Sequence, residues 1–459
     1  MQPTFDLGDI RSAYDTVVIG AGPAGCATAA AFARRGASVL LVESNPNAAR
    51  RFAGEWVHPE GARILRNLEL LDGLEHGATG RGFVVFPNDG LGPITLEYGG
   101  GERGLSCEHA TLVTHLRARV SQTRGVDYLE GVRASEVRGR FVTLTQRSKS
   151  RVVNAPLVVI ATGRSARKIL GDGAVSEKVS ISVMAGLVVR DTELPFEEYG
   201  HVITGGPGPA LAYRIGDNAV RMCIDVPHDA RASTKSHDWI WKSYAEVLPP
   251  ALREGVRRGA GDASIGWAAN TFRPRRYQTD RGVALVGDAA GVFHPLTAMG
   301  ITMSLLDAEA LAGARSLSSY AAQRAAESYV PELLSNAIYQ AFAREDVGAI
   351  AIRDSIFSTW RASSMQRNRT MDLLGAATTS RVDFVRAFSR VALRAGAGVL
   401  LSDAATAREL AGWLRWPWAS VHPSQSLMRQ RSVSWAAPES WARPDDPTEV
   451  FVEEEKHVS

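Results

Sequence analysis

Asp15-Thr-Val-Val-Ile19, Gly20-Ala-Gly22-Pro-Ala-Gly25 and the small-residue run 26–35 are the stretch on which the reading of this 459-residue chain turns. The β-branched run predicts a buried parallel strand. The run 26–35 predicts a helix that stops at Gly36, a residue suited to a helix C-cap. Residues 37–42 form a second apolar strand, followed directly by Glu43. The glycines match G-x-G-x-x-G, and each has a separate job: Gly20 permits the tight turn, Gly22 lets the backbone approach a pyrophosphate, and Gly25 lets helix and strand pack closely. Anions are drawn to the helix N-terminus by its free N–H groups and dipole. Glu43 is placed to accept from a ribose 2′-OH, and a carboxylate there disfavours a 2′-phosphate. The pattern therefore predicts a dinucleotide site. It does not by itself separate NAD from FAD, although its place near the N-terminus favours FAD.

A second strand–loop–helix makes the flavin reading specific. Residues 282–286 read as a strand, followed by Gly287-Asp288-Ala-Ala, then His294-Pro295-Leu296-Thr297, Gly300 and Thr302, then a helical stretch to about residue 312. Residues 283–307 resemble the ribityl-binding segment of flavoprotein monooxygenases of the p-hydroxybenzoate hydroxylase fold. The pattern HPLTxxGxTxxLxD resembles the squalene epoxidase branch of that fold, as does Arg51-Phe-Ala-Gly54-Glu55-Trp56-Val-His58-Pro59-Glu-Gly61. The strands HVITGG, ALAYRIG and VRMCIDVP within 201–227 have the same character.

The resemblance implies an α/β protein with a Rossmann-type FAD-binding domain interleaved with a mixed β-sheet substrate domain, plus C-terminal helices. Residues 13–80, 101–178 and 270–315 would form the FAD-binding domain, and 81–100 and 179–269 the substrate-binding sheet. Residues 316–437 would be helical and 438–459 a flexible tail. It also implies that Glu43 and Arg51 contact the adenosine and pyrophosphate half of FAD, that Val132 offers its backbone to adenine, and that Asp288 holds the ribityl chain. Thr297, Gly300 and Ile301 would flank the isoalloxazine. His109 stands where the family usually has an arginine.

Two departures from the family pattern bear on chemistry. His58 replaces a glutamine near the reactive edge of the flavin. It fits either an acid–base role at physiological pH or simple replacement of the glutamine hydrogen bond. Thr162 replaces the Asp of the Asp-Gly pair that aromatic hydroxylases tie to NADPH binding, so NADH, NADPH or a separate reductase remain as electron sources. Trp56, Phe83, Val85, Phe86, Met184 and Tyr213 are the candidate lining of an apolar substrate pocket, with Tyr213 able to orient a polar group.

The implied reaction inserts one oxygen atom from O2 through a flavin C4a-hydroperoxide. Epoxidation of an olefinic, prenylated or aromatic lipophilic specialised metabolite fits the family best. An aromatic-ring hydroxylase and a geranylgeranyl-reductase-like alkene reductase are the alternatives. Flavin-dependent halogenases share the FAD domain but need an active-site lysine in the N-terminal part, and the first lysine here is Lys149.

Composition narrows the setting. Net charge is 52 − 49 = +3, which gives no reason to expect nucleic-acid binding. Three cysteines, Cys26, Cys107 and Cys223, make no disulfide framework and no zinc spacing, which suits a reducing cytoplasm. Residues 1–11 lack the apolar stretch of a signal peptide. Near the C-terminal end, Val382, Val385, Phe388 and Ala392 alternate with Arg381, Arg386, Arg390 and Arg394. This basic amphipathic stretch is either a solvated face or a peripheral membrane contact. Trp413, Trp416 and Trp418 read as an interfacial anchor or a dimer contact.

Overall fold

The computed structural model describes residues 6–74, 77–171, 179–227, 237–259, 265–279 and 281–399. The three tryptophans of 411–418 and the expected tail lie outside the described residues, as does the expected helical region beyond residue 399.

The N-terminal motif builds the first layer. Thr16–Ile19 is the central strand of a five-stranded parallel sheet, flanked by Leu157–Ile160 on one side and Val39–Glu43 on the other. Ala284–Leu285 and Val126–Glu130 complete the edges. Thr16–Ile19 and Leu157–Ile160 are buried throughout, as expected for strands covered on both faces. Pro23–Ala33 is the crossover helix, and Gly36 follows it at φ 85, a conformation that favours glycine. Cys26 and Ala27 through Ala30 are buried beneath the helix Gly300–Gly313. An antiparallel meander, 133–138, 141–146 and 149–154, extends this layer.

The second layer is a seven-stranded mixed sheet in the order 266–272, 179–190, 219–226, 210–216, 199–203, 82–86, 94–97. Only the 199–203/82–86 pair is parallel. Its strands alternate, so each face has its own core. One face packs on Ile240, Tyr244, Leu252 and Val256 of the helices near 237–259. The other looks toward the first layer and the C-terminal helices Leu317–Ala343, Val347–Ala362 and Arg381–Val399.

The amphipathic reading of Arg381–Val399 needs correction. Phe384 and Ala395 are buried and Phe388 and Val391 pack beside them, whereas Val382, Val385 and Leu393 are exposed among the arginines. The apolar residues divide between two faces because the helix docks on its neighbours along only one of them.

Candidate active site

A cavity of about 1050 Å³ lies between the two layers. Its wall combines Gly20, Gly22, Glu43, Arg51, His109, Val132, Asp288, Gly300 and Ile301 with residues of the seven-stranded sheet.

At the glycine motif, Gly20 sits at φ 105, and a Cβ there would lie 2.7 Å from the Ala161 carbonyl oxygen. A Cβ on Gly25 would overlap the Gly20 carbonyl oxygen, whereas one on Gly22 would meet no protein atom. Gly22 is thus open on the side where the helix N–H groups emerge. The Glu43 carboxylate accepts from the Ala21 and Asn45 N–H groups, each at 2.9 Å, and lies 3.2 Å from Arg117. Val132 donates its N–H to the Glu43 carbonyl, so a backbone contact to adenine there falls to its own carbonyl.

Arg117 is one residue that the sequence reading missed. It is buried and donates to the carbonyls of Ala21 and Pro46 at 2.9 Å, tying the glycine loop to the turn after Glu43. Its signal lies in the helix His109–Ser121, where His109, Leu112, Val113, Leu116, Arg117 and Val120 share the buried stripe. An arginine inside an apolar stripe is a buried charge that needs partners. His109, the first residue of that helix, donates from Nδ1 to the Gly54 carbonyl at 2.8 Å. Its Nε2 carries no proton in this tautomer, and burial pushes its pKa down to about 4.

Asp288 follows Gly287, which takes φ 63 in the turn. The Gly287 N–H donates to Asp307 at 2.8 Å, and Asp307 also accepts from Arg275 and, at 2.8 Å, from Arg324. All three side chains are almost fully buried. Arg275 further reaches the Gly291 carbonyl at 3.2 Å, so this cluster fixes both ends of the loop that presents Asp288.

Several expected roles are overturned. His58 does not line the cavity and is fully buried. Its Nε2–H donates to the Thr297 carbonyl at 2.9 Å, because a carbonyl only accepts, and its Nδ1 accepts from the Tyr98 hydroxyl at 2.8 Å. Tyr98 in turn accepts from the Trp56 indole at 3.0 Å. Both ring nitrogens are committed, and burial lowers the pKa to about 4, so His58 has no free site for acid–base work. It positions the turn before Gly300. Thr297 faces away from the cavity, with its hydroxyl donating to Ser335 at 3.1 Å.

Tyr213 does line the cavity, but its hydroxyl donates to Glu55 at 3.2 Å. Glu55 is itself clamped by Arg221 at 2.7 and 2.8 Å. Burial holds the Tyr213 pKa well above its ordinary value, so it is no proton shuttle either. Trp56 and Met184 line the cavity. Phe83 and Val85 do not, because Trp56, its ring 4.9 Å from that of Phe83, and the C-terminal helices cover them. Phe86 points to the opposite face, where it stacks on His201. Leu211, Cys223, Asp225, Asn270 and Phe293 were not foreseen on the wall.

The His58 assignment carries an expected result. A histidine with a folded pKa near 4 and an unfolded value near 6.5 makes the unfolded chain the better proton acceptor. The resulting stability is complete above pH 6.5 and is lost as pH falls toward 4. Replacing His58 with Gln should therefore remove about 1 kcal/mol of the stability lost between pH 7 and pH 5.5, read by urea unfolding at both values. The pH profile of turnover should keep its shape. A displaced limb between pH 5 and 8 would restore an acid–base role.

The residues fit a dinucleotide. Thr162 Oγ1 is buried with no hydrogen-bond partner among the described residues, and Gly22 presents bare backbone on the same cavity wall.

A family model described as squalene epoxidase matches residues 154–412, and one described as FAD-dependent oxidoreductase matches residues 15–76. The squalene epoxidase erg1 of Aspergillus fumigatus is 27% identical over 394 residues, covering 77% of this chain and 81% of its own. The squalene monooxygenase of Rattus norvegicus is 23% identical over 410 residues, covering 83% and 71%. Among solved structures, a flavin-dependent brominase superposes with a TM-score of 0.67 at 16% identity, covering 84% of this chain and 98% of its own. A probable FAD-dependent monooxygenase from Pseudomonas aeruginosa gives 0.58 at 19%, covering 76% and 100%. These structural likenesses concern the fold alone.

Proposed function

The chain belongs to the squalene epoxidase family, and on that premise we propose that it epoxidises a carbon–carbon double bond of a lipophilic olefin. It is an FAD-dependent monooxygenase. The observation that carries the proposal is that the glycine-motif residues and Asp288 share one cavity wall with apolar sheet residues.

Bound FAD supplies the redox chemistry: two electrons from NADH or NADPH, received directly or through a separate reductase, let one atom of O2 enter the substrate while the other leaves as water. The protein supplies placement. Gly20, Gly22 and the N-terminus of Pro23–Ala33 cradle the pyrophosphate. Glu43, held by Arg117, takes the adenosine ribose, and Asp288 takes the ribityl hydroxyls. Gly300 and Ile301, at the N-terminus of Gly300–Gly313 on the cavity wall, would stand by the flavin ring, where the helix dipole would favour negative charge. Trp56, Met184, Leu211 and Phe293 keep water from the reacting carbon.

Transfer of oxygen to an alkene needs no base on the protein, which suits a site where His58 and Tyr213 are already committed. The aromatic hydroxylase alternative loses the base it would draw from His58. Among the described residues no helix is long and apolar enough to cross a membrane. A peripheral contact would fall to Val382, Val385 and Leu393 beside the arginines of Arg381–Val399.

Incubating the reduced holoenzyme with a polyene under 18O2 tests the reading. The expected result is substrate-dependent oxygen uptake and one labelled atom in the product. Saturation of the alkene without oxygen would replace the monooxygenase with the alkene reductase. Oxygen uptake that yields only peroxide with every polyene would remove the olefin proposal.

A further inference from the structure

Asn270 lies on the strand Gly266–Phe272, directly opposite Ser182 of the strand Val179–Arg190. It is 1% exposed and sits on the cavity wall. Its Nδ2 donates to Ser182 Oγ at 3.0 Å and to Asp225 Oδ1 at 2.9 Å, two acceptors that are joined to each other by the Ser182 hydroxyl. The direction of the amide is fixed by its partner. The Asp225 carboxylate takes donors only: Ser182, His294 Nε2 at 3.1 Å and Tyr339 at 3.2 Å. His294 Nε2 carries the proton, because His294 Nδ1 accepts from the Leu296 N–H. A flipped Asn270 would set an oxygen against a carboxylate, so the nitrogen must face Asp225.

That leaves Asn270 Oδ1. Among the described residues nothing donates to it, and it is not shut away from the cavity as a buried orphan. The surrounding wall is apolar at Met184, Leu211, Ala268 and Phe293. An acceptor held rigidly in such a wall costs free energy unless a ligand donates to it.

We infer that the substrate is an olefin that also carries a hydrogen-bond donor, a hydroxyl or a ring N–H, which Asn270 Oδ1 accepts. This deepens the olefin reading above and rests on it. A pure hydrocarbon leaves the acceptor unpaired, and an ether supplies no hydrogen. A site built to meet a donor discriminates against the analogue that lacks one.

Three probes decide the matter: a twenty-carbon polyprenyl alcohol, its methyl ether, and the hydrocarbon in which hydrogen replaces the hydroxyl. Binding to the FAD-loaded enzyme is read from perturbation of the flavin absorption spectrum, and turnover is followed in parallel. The wild-type enzyme should bind the alcohol roughly five- to tenfold tighter than either analogue, the gain of one neutral hydrogen bond. Asn270→Ala should bring that ratio to about one. Ser182→Ala also removes a donor from Asp225 but leaves Oδ1 in place, and it should keep the preference. The inference falls if the wild type shows no preference, if Asn270→Ala retains it, or if Ser182→Ala erases it equally. It also falls if Asn270→Ala sheds flavin while staying folded, which would make the acceptor a cofactor contact. A preference that persists with no probe oxygenated would overturn the proposed reaction and spare this inference. Oxygenation of all three without preference would do the reverse.

Discussion

Replacing Asp307 with Asn is expected to cost about 3–5 kcal/mol of folding stability and to empty the enzyme of flavin, the range seen when one partner of a buried ion pair is removed. Asp307 is 0% exposed and accepts from Arg275, Arg324 and the Gly287 N–H. Asparagine has the same shape, but one end becomes a donor. Whichever way the amide turns, it sets an N–H against a guanidinium or against the Gly287 N–H. Two arginines then remain buried with less than their full compensation, and the turn that presents Asp288 loses its anchor. Glu309 provides the contrast on the same helix. Its pair with Arg63 spans 2.9 Å, yet both side chains are more than a third exposed, at 39% and 35%. Solvent screening limits such a pair, so Glu309→Gln should cost under about 1 kcal/mol. Urea unfolding and the flavin-to-protein absorbance ratio measure both effects. A loss below about 1 kcal/mol for Asp307→Asn would mean that the cluster relaxes around the amide and is not the anchor described.

The parts of this protein that were legible in its sequence are those where the backbone itself imposes a residue. Gly20 and Gly287 stand at positive φ, and a Cβ on Gly25 overlaps backbone, so the dinucleotide motif and the Gly-Asp turn could be read without knowing what surrounds them. The parallel strands were legible for a related reason: strands buried on both faces read as unbroken apolar runs. Side-chain partners were not legible, because they arrive from distant elements. His58 reads as a titratable group beside a flavin. Tyr98 and the Thr297 carbonyl, 40 and 239 positions away, occupy its two nitrogens. Asn270 reads as an ordinary strand residue until Asp225, 45 positions away, fixes the direction of its amide.

Pocket residues failed for a different reason. Alternation tells which residues share one face of a sheet, but that face is divided here between the cavity and the packing of the C-terminal helices. Phe83 and Met184 belong to the same apolar cluster, and only Met184 reaches the cavity. Arg117 shows the opposite case, in which a local anomaly was available. A charge within a buried helical stripe announces a partner, and the partners proved to be the carbonyls of the glycine loop and of Pro46 together with Glu43.

Two alanine substitutions in the glycine motif separate what the fold needs from what the cofactor needs. At Gly25 the added methyl would overlap the Gly20 carbonyl oxygen, which is backbone and cannot swing aside. The helix Pro23–Ala33 must then lift from the strand, taking its N–H groups away from the phosphate position. Gly25→Ala should therefore lose apoprotein stability and flavin affinity together. At Gly22 the methyl meets no protein atom, and φ is −81°, which alanine adopts freely. Gly22→Ala should fold with unchanged apoprotein stability, yet its methyl would stand where the pyrophosphate must approach the backbone. The expected loss is about a hundredfold in FAD affinity, or about 2.7 kcal/mol, read by titrating apoprotein with FAD and following fluorescence quenching. Equal flavin affinity in Gly22→Ala and wild type would mean that the pyrophosphate does not rest on this loop, however well the motif matches. Loss of affinity in Gly22→Ala without loss of stability points to a ligand seated against Gly22, because among the described residues no atom beyond its chain neighbours lies within 4 Å of that methyl.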